Sequence, residues 1–552
     1  MSSNSVLESK NIEEESTESN SNIEDKFNVI TEGKASILFP KSNEVFYNPV
    51  QEFNRDLSIA VIRTWSEILR EEREEKAKKQ SQRQTQLTGE SSNVGTTNAA
   101  ASKVESKFSY TILEALAASG LRSIRYAKEL PNLKYVVAND LDLEAVNSIK
   151  RSVQYNGLSD DLVRTSQGDA SDIMYQHRNP LNQFDAIDID PYGTAAPFLD
   201  AAVQSVKDGG LLCVTCTDAA VLCGSNYPEK CYANYGAIPV KGDFCHEMAL
   251  RILLHTLATS ASRYRRYIHP LITLSIDFYI RVFVRVFSSP IQVKTIPCKT
   301  SLLYVCSGCH IFYLHPLAKK TEKGTFAPMT GPPVNSLCHF CGNKFHTGGP
   351  MWGYILHDKE FVRRILEHVK ESNTENYKTH PRMLGMLTVV SEEIDSPFYY
   401  ILSSLAATVH STNPSLKQFC SAILNKGYKF SASHAAAGSL KTDAPPEVIW
   451  DIVRSWVKLH PVNYNNIAAN APGRKILGNP PSFEADFTFH KDADPPSRKI
   501  KLMRFQMNPQ KNWGPKARAS SKRAKTNDED DHHQETTDKT PPTKKIVKET
   551  RD

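Results

Sequence analysis

Between residues 110 and 218 the chain repeats one pattern: a short apolar run, then a stretch with helical spacing. YTILEA (110–115) reads as a strand, SGLRSIRYAKEL (119–130) as a helix and YVVAND (135–140) as a second, buried strand. LEAVNSIKRSVQYNG (143–157) reads as a helix, with Val146, Ile149 and Val153 on one face and Gly157 as its C-cap. LVRTSQGDA (162–170) and FDAIDIDPYG (184–193) supply two more strands, APFLDAAVQSV (196–206) a helix, and GGLLCVTCTD (209–218) a fifth strand. Apolar strands joined by crossover helices can only bury both faces, which predicts a parallel sheet between helical layers. A helix over 246–264 follows, and SIDFYIRVFVRVFSS (275–289) alternates like a closing antiparallel hairpin or edge.

With 552 residues, the chain has room for two or three domains. Hydrophobic residues at 40% and charged residues at 23% exclude a disordered protein. The most apolar stretch, 271–287, carries Asp277, Arg281 and Arg285, which excludes a membrane-spanning helix there. A net charge of +6 excludes a histone-like chain. Residues 1–26 hold seven acids and two bases and read as a disordered acidic tail, with neither a secretory signal nor an Arg-rich mitochondrial presequence. Eleven cysteines, an odd number, suit a reducing, intracellular compartment. ITEGKASILFP (30–40) has strand character. Leu57, Val61, Trp65, Ile68 and Leu69 recur at helical spacing within 46–70. Residues 71–107 read as a solvated helix extension and a flexible, low-complexity insert. The character changes at Pro290, giving an expected domain over 27–289, a second, α+β domain over 290–518, and a disordered basic, low-complexity tail over 519–552.

Ligands of an open α/β sheet sit beyond the carboxyl ends of the strands. After strand one come Ala117, Ala118, Ser119 and Gly120, small residues that let a cofactor approach the helix N-terminus, then Leu121 and Arg122. After strand two comes Asp140, an acid that can accept from ribose hydroxyls; after strand three come Asp169 and Ala170, placed to read an adenine edge. Each loop alone equally suits a tight turn with a helix-capping acid. Three such loops at successive strand ends point to a nucleotide cofactor. There is no G-x-G-x-x-G, which favours S-adenosylmethionine over a dinucleotide because no pyrophosphate has to be cradled.

Strand four ends in Asp190-Pro191-Tyr192-Gly193. The tetrapeptide suits a type I turn. It also suits a methyl acceptor site for a base amine. Asp190 would accept from the NH2 and localise its lone pair, Pro191 removes a competing N–H, Tyr192 offers a ring for stacking, and Gly193 allows close approach.

FNRDLS (53–58), LEALAASGLRSIRYAKE, AND (138–140), DAIDIDPYG, LLCVTCTD and NWGPKAR (512–518) together resemble the tRNA guanine-N2 dimethyltransferase family. The resemblance spans about residues 27–518. It implies a class I, Rossmann-like methyltransferase domain that forms N2,N2-dimethylguanosine at position 26 of tRNA with S-adenosyl-L-methionine. By matching position, it implies Arg55, Arg122, Asp140, Asp169 and Ala170 as cofactor contacts and Asp190 as catalytic acceptor, with Pro191 and Tyr192 beside it. The rivals are another RNA or protein N-methyltransferase on the same scaffold, and a non-catalytic tRNA-binding or chaperone protein, against which intact cofactor loops and Asp190 argue.

Cys306-Ser-Gly-Cys309 and Cys338-His-Phe-Cys341 are two C-x-x-C elements whose four thiolates could complete a structural zinc site within 306–341, with His310, His339 and His346 as alternative ligands. Cys213 and Cys216 share that spacing but lie inside a strand, where i and i+3 face opposite sides, and read as core. Cys223, Cys231, Cys245, Cys298 and Cys420 have no spacing that singles them out. Residues 498–525 hold ten Lys/Arg and no acid, suited to tRNA phosphates or to a solvated tail, and 516–525 could serve as a nuclear address. The expected compartment is the nucleus, with a mitochondrial pool left open.

Overall fold

The computed structural model describes residues 27–41, 47–88, 108–224, 226–499 and 503–504. Two strands, β1 (Phe27–Glu32) and β2 (Ala35–Pro40), form a hairpin where the sequence suggested one strand. The central sheet follows: β3 (Tyr110–Glu114), β4 (Leu133–Asp140), β5 (Val163–Gln167), β6 (Phe184–Ile189), β7 (Val206–Cys216), β8 (Arg266–Ile276) and β9 (Tyr279–Ser288). Its order is β5-β4-β3-β6-β7-β9-β8. The first five strands in that order are parallel, and β9 and β8 close the sheet antiparallel.

The chain runs outward from β3 to one edge and then returns to build β6 and β7 on the other side. The strand order therefore reverses between β3 and β6, and a crevice opens at their carboxyl ends. The two faces carry separate cores. Cys213 packs with Leu57, Trp65 and Ile124 on one face; Cys216 packs with Leu199, Leu250 and Leu254 on the other. The opposite orientation read from their i, i+3 spacing holds.

The closing hairpin turns at Asp277 and Phe278, so its first arm lies further upstream than the alternating stretch suggested. β8 is buried on both faces along most of its length, which erases the period-2 signal. Arg266, just past the helix, starts this strand; it is buried and donates to the Val203 carbonyl.

One helix, Glu52–Thr88, buries Phe53, Leu57, Val61, Trp65 and Leu69. Its polar continuation is tied down rather than simply solvated. Glu71 pairs with Arg364 at 2.8 Å, Glu72 with Arg285 at 2.7 Å and Arg73 with Asp185 at 2.6 Å. Most of the remaining insert, residues 89–107, lies outside the described residues.

Past Pro290, β10 (Thr300–Cys306), β11 (Phe312–Pro316), a small hairpin of β12 (Ala318–Lys320) and β13 (Phe326–Pro328), and β14 (Phe345–Trp352) carry the two C-x-x-C elements. Helices Lys359–Glu371 and His380–Glu392 pack into the core that holds Trp65. A third core gathers around Phe419, Ile449 and Trp450. Among the described residues no helix is long and apolar enough to cross a membrane.

Candidate active site

The loop after β3 is a tight turn. Ala118 and Gly120 both take positive φ, 48° and 72°, and the Gly120 N–H donates to the Ala117 carbonyl at 2.8 Å. A Cβ on Gly120 would sit 2.9 Å from Ile149, so glycine is required twice over, for conformation and for space. Helix Leu121–Glu129 begins here with no side-chain cap, leaving its first N–H groups to the loop side.

Asp140, at the end of β4, accepts from Ala118 N–H at 2.8 Å and from Asp142 N–H at 3.0 Å, one bond per carboxylate oxygen. Each oxygen retains acceptor capacity. Asn139 is buried and donates to the carbonyls of Ala115 (3.1 Å) and Gly168 (3.0 Å), tying three strand ends together; its Oδ1 is buried with no partner among the described residues. Asp169 caps helix Ala170–Gln176, accepting from Ser171 and Asp172 N–H groups, and Ala170 is buried behind it. Leu141 and Leu143, flanking the acids, are 61% and 54% exposed. An acid with spare acceptors, an uncapped helix start and two exposed apolar side chains form a donor set that fits an adenosine-bearing cofactor.

Across the crevice, Asp190 follows β6. Its Oδ2 accepts from the Arg122 guanidinium and, at 3.4 Å, from the Asn54 amide. Arg122 is buried and also reaches Glu114 (3.6 Å), Asp188 (3.5 Å) and Ser58 (3.2 Å). Arg281 binds Asp188 with both terminal nitrogens, at 2.9 and 2.8 Å, and Tyr126 donates its hydroxyl to the same carboxylate. Three carboxylates thus surround two guanidiniums. Burial, opposed by Arg122 and Ser123 but aided by Asp188 and Asp190, pushes the Glu114 carboxyl up to about 8. A proton on Glu114 at neutral pH balances the cluster's charge. Burial alone would raise Asp188 too, but Arg281 and Arg122 outweigh it and hold it below the usual carboxylate range.

Gly193 has φ 85°, and an added Cβ would meet nothing within 4 Å, so the backbone conformation rather than crowding calls for glycine. The segment is fixed to the end of β7: Gly193 N–H donates to Thr217 Oγ1 at 2.8 Å, and Thr217 N–H to the Gly193 carbonyl at 2.9 Å. Tyr192 is 47% exposed.

Two residues implied as cofactor contacts have other partners. Arg55 clamps Glu32 of the hairpin, with Nε at 2.6 Å, and donates to the Asn48 carbonyl. Arg122 spends its guanidinium on Asp190, Asp188, Glu114 and Ser58. Both guanidiniums donate to protein groups.

Residues 21–454 match the family model described as N2,N2-dimethylguanosine tRNA methyltransferase. The chain belongs to this family. It is 47% identical over 512 residues to the tRNA (guanine(26)-N(2))-dimethyltransferase of Schizosaccharomyces pombe, covering 89% of this chain and 92% of that protein. The Homo sapiens relative of the same name is 46% identical over 516 residues, covering 89% and 77%. A Saccharomyces cerevisiae relative, named as the mitochondrial tRNA (guanine(26)-N(2))-dimethyltransferase, is 40% identical over 541 residues, covering 91% and 93%. Among solved structures, Trm1 from Pyrococcus horikoshii in complex with S-adenosyl-L-methionine matches with a TM-score of 0.60 at 26% identity, covering 76% of this chain and 98% of that one.

Sequence reasoning missed Asn54, which bonds Asp190, and Ser58, Glu114, Asp188 and Arg281, which this dimethyltransferase family member gathers in the ion-pair network around Arg122. One signal was present: Asp188 interrupts an apolar strand, and a buried acid demands a cation. Its partner lies 93 residues away in another strand, which no local pattern encodes.

In the same chain the four cysteines read as a metal site come together. Cys306, Cys309, Cys338 and Cys341 are buried, with Sγ–Sγ distances of 3.3 Å (Cys306–Cys341) and 3.7 Å (Cys309–Cys338). Gly308 N–H and the Asn343 amide donate to Cys306 and Cys341 sulfurs at 3.4 and 3.3 Å, as stabilised thiolates require. This donor set fits zinc. His310, His339 and His346 do not join the cluster among the described residues.

Proposed function

We infer that this chain is an S-adenosylmethionine-dependent tRNA (guanine(26)-N2)-dimethyltransferase, which converts the guanine to N2,N2-dimethylguanosine. The observation that carries the reading is the Asp190 carboxylate at the crevice of a family-typical sheet, held by Arg122 and Asn54. Both donors fall on Oδ2, so Oδ1 is the oxygen offered to the substrate amine. Accepting an N–H from that amine draws its lone pair out of the ring and toward the methyl donor. Tyr192 stacks on the base, and Pro191 contributes no competing N–H. S-adenosylmethionine supplies an electrophilic methyl group. Asp140 accepts from its ribose hydroxyls, and Asp169 and Ala170 line the adenine. Arg55 and Arg122 are the further cofactor contacts of this reading, and Arg122 also holds Asp190.

A structural zinc ion held by Cys306, Cys309, Cys338 and Cys341 belongs to the same reading, as does tRNA docking by residues 290–518. The basic segment 498–525, proposed to grip phosphate and to carry a nuclear address, lies almost wholly outside the described residues, as do NWGPKAR and the two tails. Nucleoside mass spectrometry of tRNA lacking the modification, after incubation with the protein and cofactor, tests the function. N2,N2-dimethylguanosine at position 26 is expected; unmodified guanine in tRNA that binds the protein would overturn it.

A further inference from the structure

A second cluster of soft ligands lies outside both sites. Cys223 closes the short helix Ala219–Leu222, and Cys245 and His246 open the long helix Cys245–Arg263. One ligand atom from each lies within 4.8 Å of the others, and Cys223 Sγ is 3.8 Å from His246 Nδ1. All three are half-buried, and both cysteines are free thiols. With metal bonds of about 2.3 Å to sulfur and about 2.0–2.1 Å to nitrogen, a shared tetrahedral ion separates S from N by about 3.5 Å. The observed spacing is close to that, and to the 3.7 Å between Cys309 and Cys338.

A further observation points to a ligand here. Tyr399 is 1% exposed and its hydroxyl has no hydrogen-bond partner among the described residues; its neighbour Phe398 donates its N–H at 2.6 Å to Glu247, the residue after His246. A buried hydroxyl of this kind needs an acceptor. A metal-bound thiolate or metal-bound water supplies one.

We propose that Cys223, Cys245 and His246 form a second zinc site, with three protein ligands and a fourth position for water or another small ligand. Two thiolates and an imidazole select zinc over magnesium or calcium. The ion has a place in the architecture. Cys223 follows Thr217, which fixes Gly193, and Asp218, whose carboxylate takes the Tyr235 hydroxyl at 2.9 Å. Tyr235 in turn pairs with Thr194 at 2.6 Å. An ion bridging Cys223 to the long helix would pin the segment that holds the Asp190–Gly193 loop.

Metal content of the full chain, purified without chelator and under reductant, tests this. Two zinc equivalents are expected in the unaltered protein, and one in each of Cys223→Ser, Cys245→Ser and His246→Ala. After cobalt(II) exchange, Cys245→Ser should lose part of the sulfur-to-cobalt charge-transfer absorption while the four-cysteine site keeps the rest. Where a cysteine variant fails to fold, His246→Ala provides the independent readout: zinc added back to it should occupy the second site, in competition with a chelator, at least 10-fold more weakly than in the unaltered protein. A single equivalent that all three variants retain would overturn the proposal. So would a Cys223–Cys245 disulfide, mapped by peptide mass spectrometry, in place of the second zinc.

Discussion

Asp190 works as an acceptor only if it stays fixed while a substrate N–H arrives. Arg122 and Asn54 meet that need by holding one oxygen. Asp190→Ala should therefore lower single-turnover methyl transfer by on the order of 10²-fold or more, the scale for one positioned group. Cofactor affinity, read by calorimetry, should stay within a few fold, because the cofactor loops lie on other strand ends. Near-normal turnover would remove Asp190 from the reaction. Glu114 gives a pH signature of the opposite kind to most carboxyls. Its folded-state value, about 8, lies above the ordinary 4.5. The folded protein keeps the proton that the unfolded chain releases, so this contribution is complete below about pH 4.5 and declines as pH rises toward 8, by at most about 1.4 kcal/mol per unit. Glu114→Gln keeps the neutral shape without that loss. Relative to the unaltered protein, its thermal midpoint should rise more at pH 8 than at pH 5; an equal shift at both would place no proton on Glu114.

At the scale of elements, what sequence could disclose depended on how local the cause was. The five parallel strands and their helices were legible because all the strands but β5 (VRTSQ) carry their own apolar run and the helices their own apolar spacing. The DPYG segment and the C-x-x-C pairs were legible because their chemistry sits within four residues. The second arm of the β8–β9 hairpin was readable and the first was not, since burial on both faces removes alternation. The ties of the long helix were hidden for another reason: Glu72 meets Arg285 across 213 positions, and Arg73 meets Asp185 across 112. Asp185 shows what such a tie contributes. It accepts from Arg73 (2.6 Å), Lys207 (2.8 Å) and the Thr111 N–H (2.9 Å), joining helix, β3 and β7 at the amino end of the sheet. Arg73 is 40% exposed at its side chain and Lys207 34%, so both regain water if the acid is lost. The buried Thr111 N–H does not, and the Thr111 hydroxyl, which donates to the same oxygen at 3.0 Å, also loses its acceptor. Asp185→Ala should thus cost about 1–3 kcal/mol for each orphaned buried donor, rather than the larger cost of a stranded buried charge. Urea denaturation should show it as a lower midpoint, with methyl transfer at low denaturant little changed, since this end lies opposite the crevice.

For the whole molecule, Pro290 marks a change of composition that the packing crosses. Leu303, Val305, Trp352, Leu356, Phe398 and Tyr399 complete the core behind β6 and β7, and Phe361, Ile365, Met383 and Leu387 complete the one behind Trp65. The free edge of β8 is covered as well: the Thr273 and Ser275 N–H groups donate to His357 and His434, and Glu393 accepts from both imidazoles, at 3.1 and 3.0 Å. An edge left open would template pairing with other chains. These contacts make the second half a structural part of the first, even though tRNA docking is assigned to one and chemistry to the other. A chain ending at residue 289 would expose the partners of those ten apolar side chains. At about 1.5–3 kcal/mol each, that forfeits about 15–30 kcal/mol, more than the about 5–15 kcal/mol by which domains are stable. The truncated chain should aggregate or bind a hydrophobic dye and show no cooperative melt, and the full chain should unfold its sheet and its second half in one calorimetric transition. A soluble 1–289 fragment that melts cooperatively and binds S-adenosylmethionine would show instead that the two halves fold independently and that the shared cores are a docking surface.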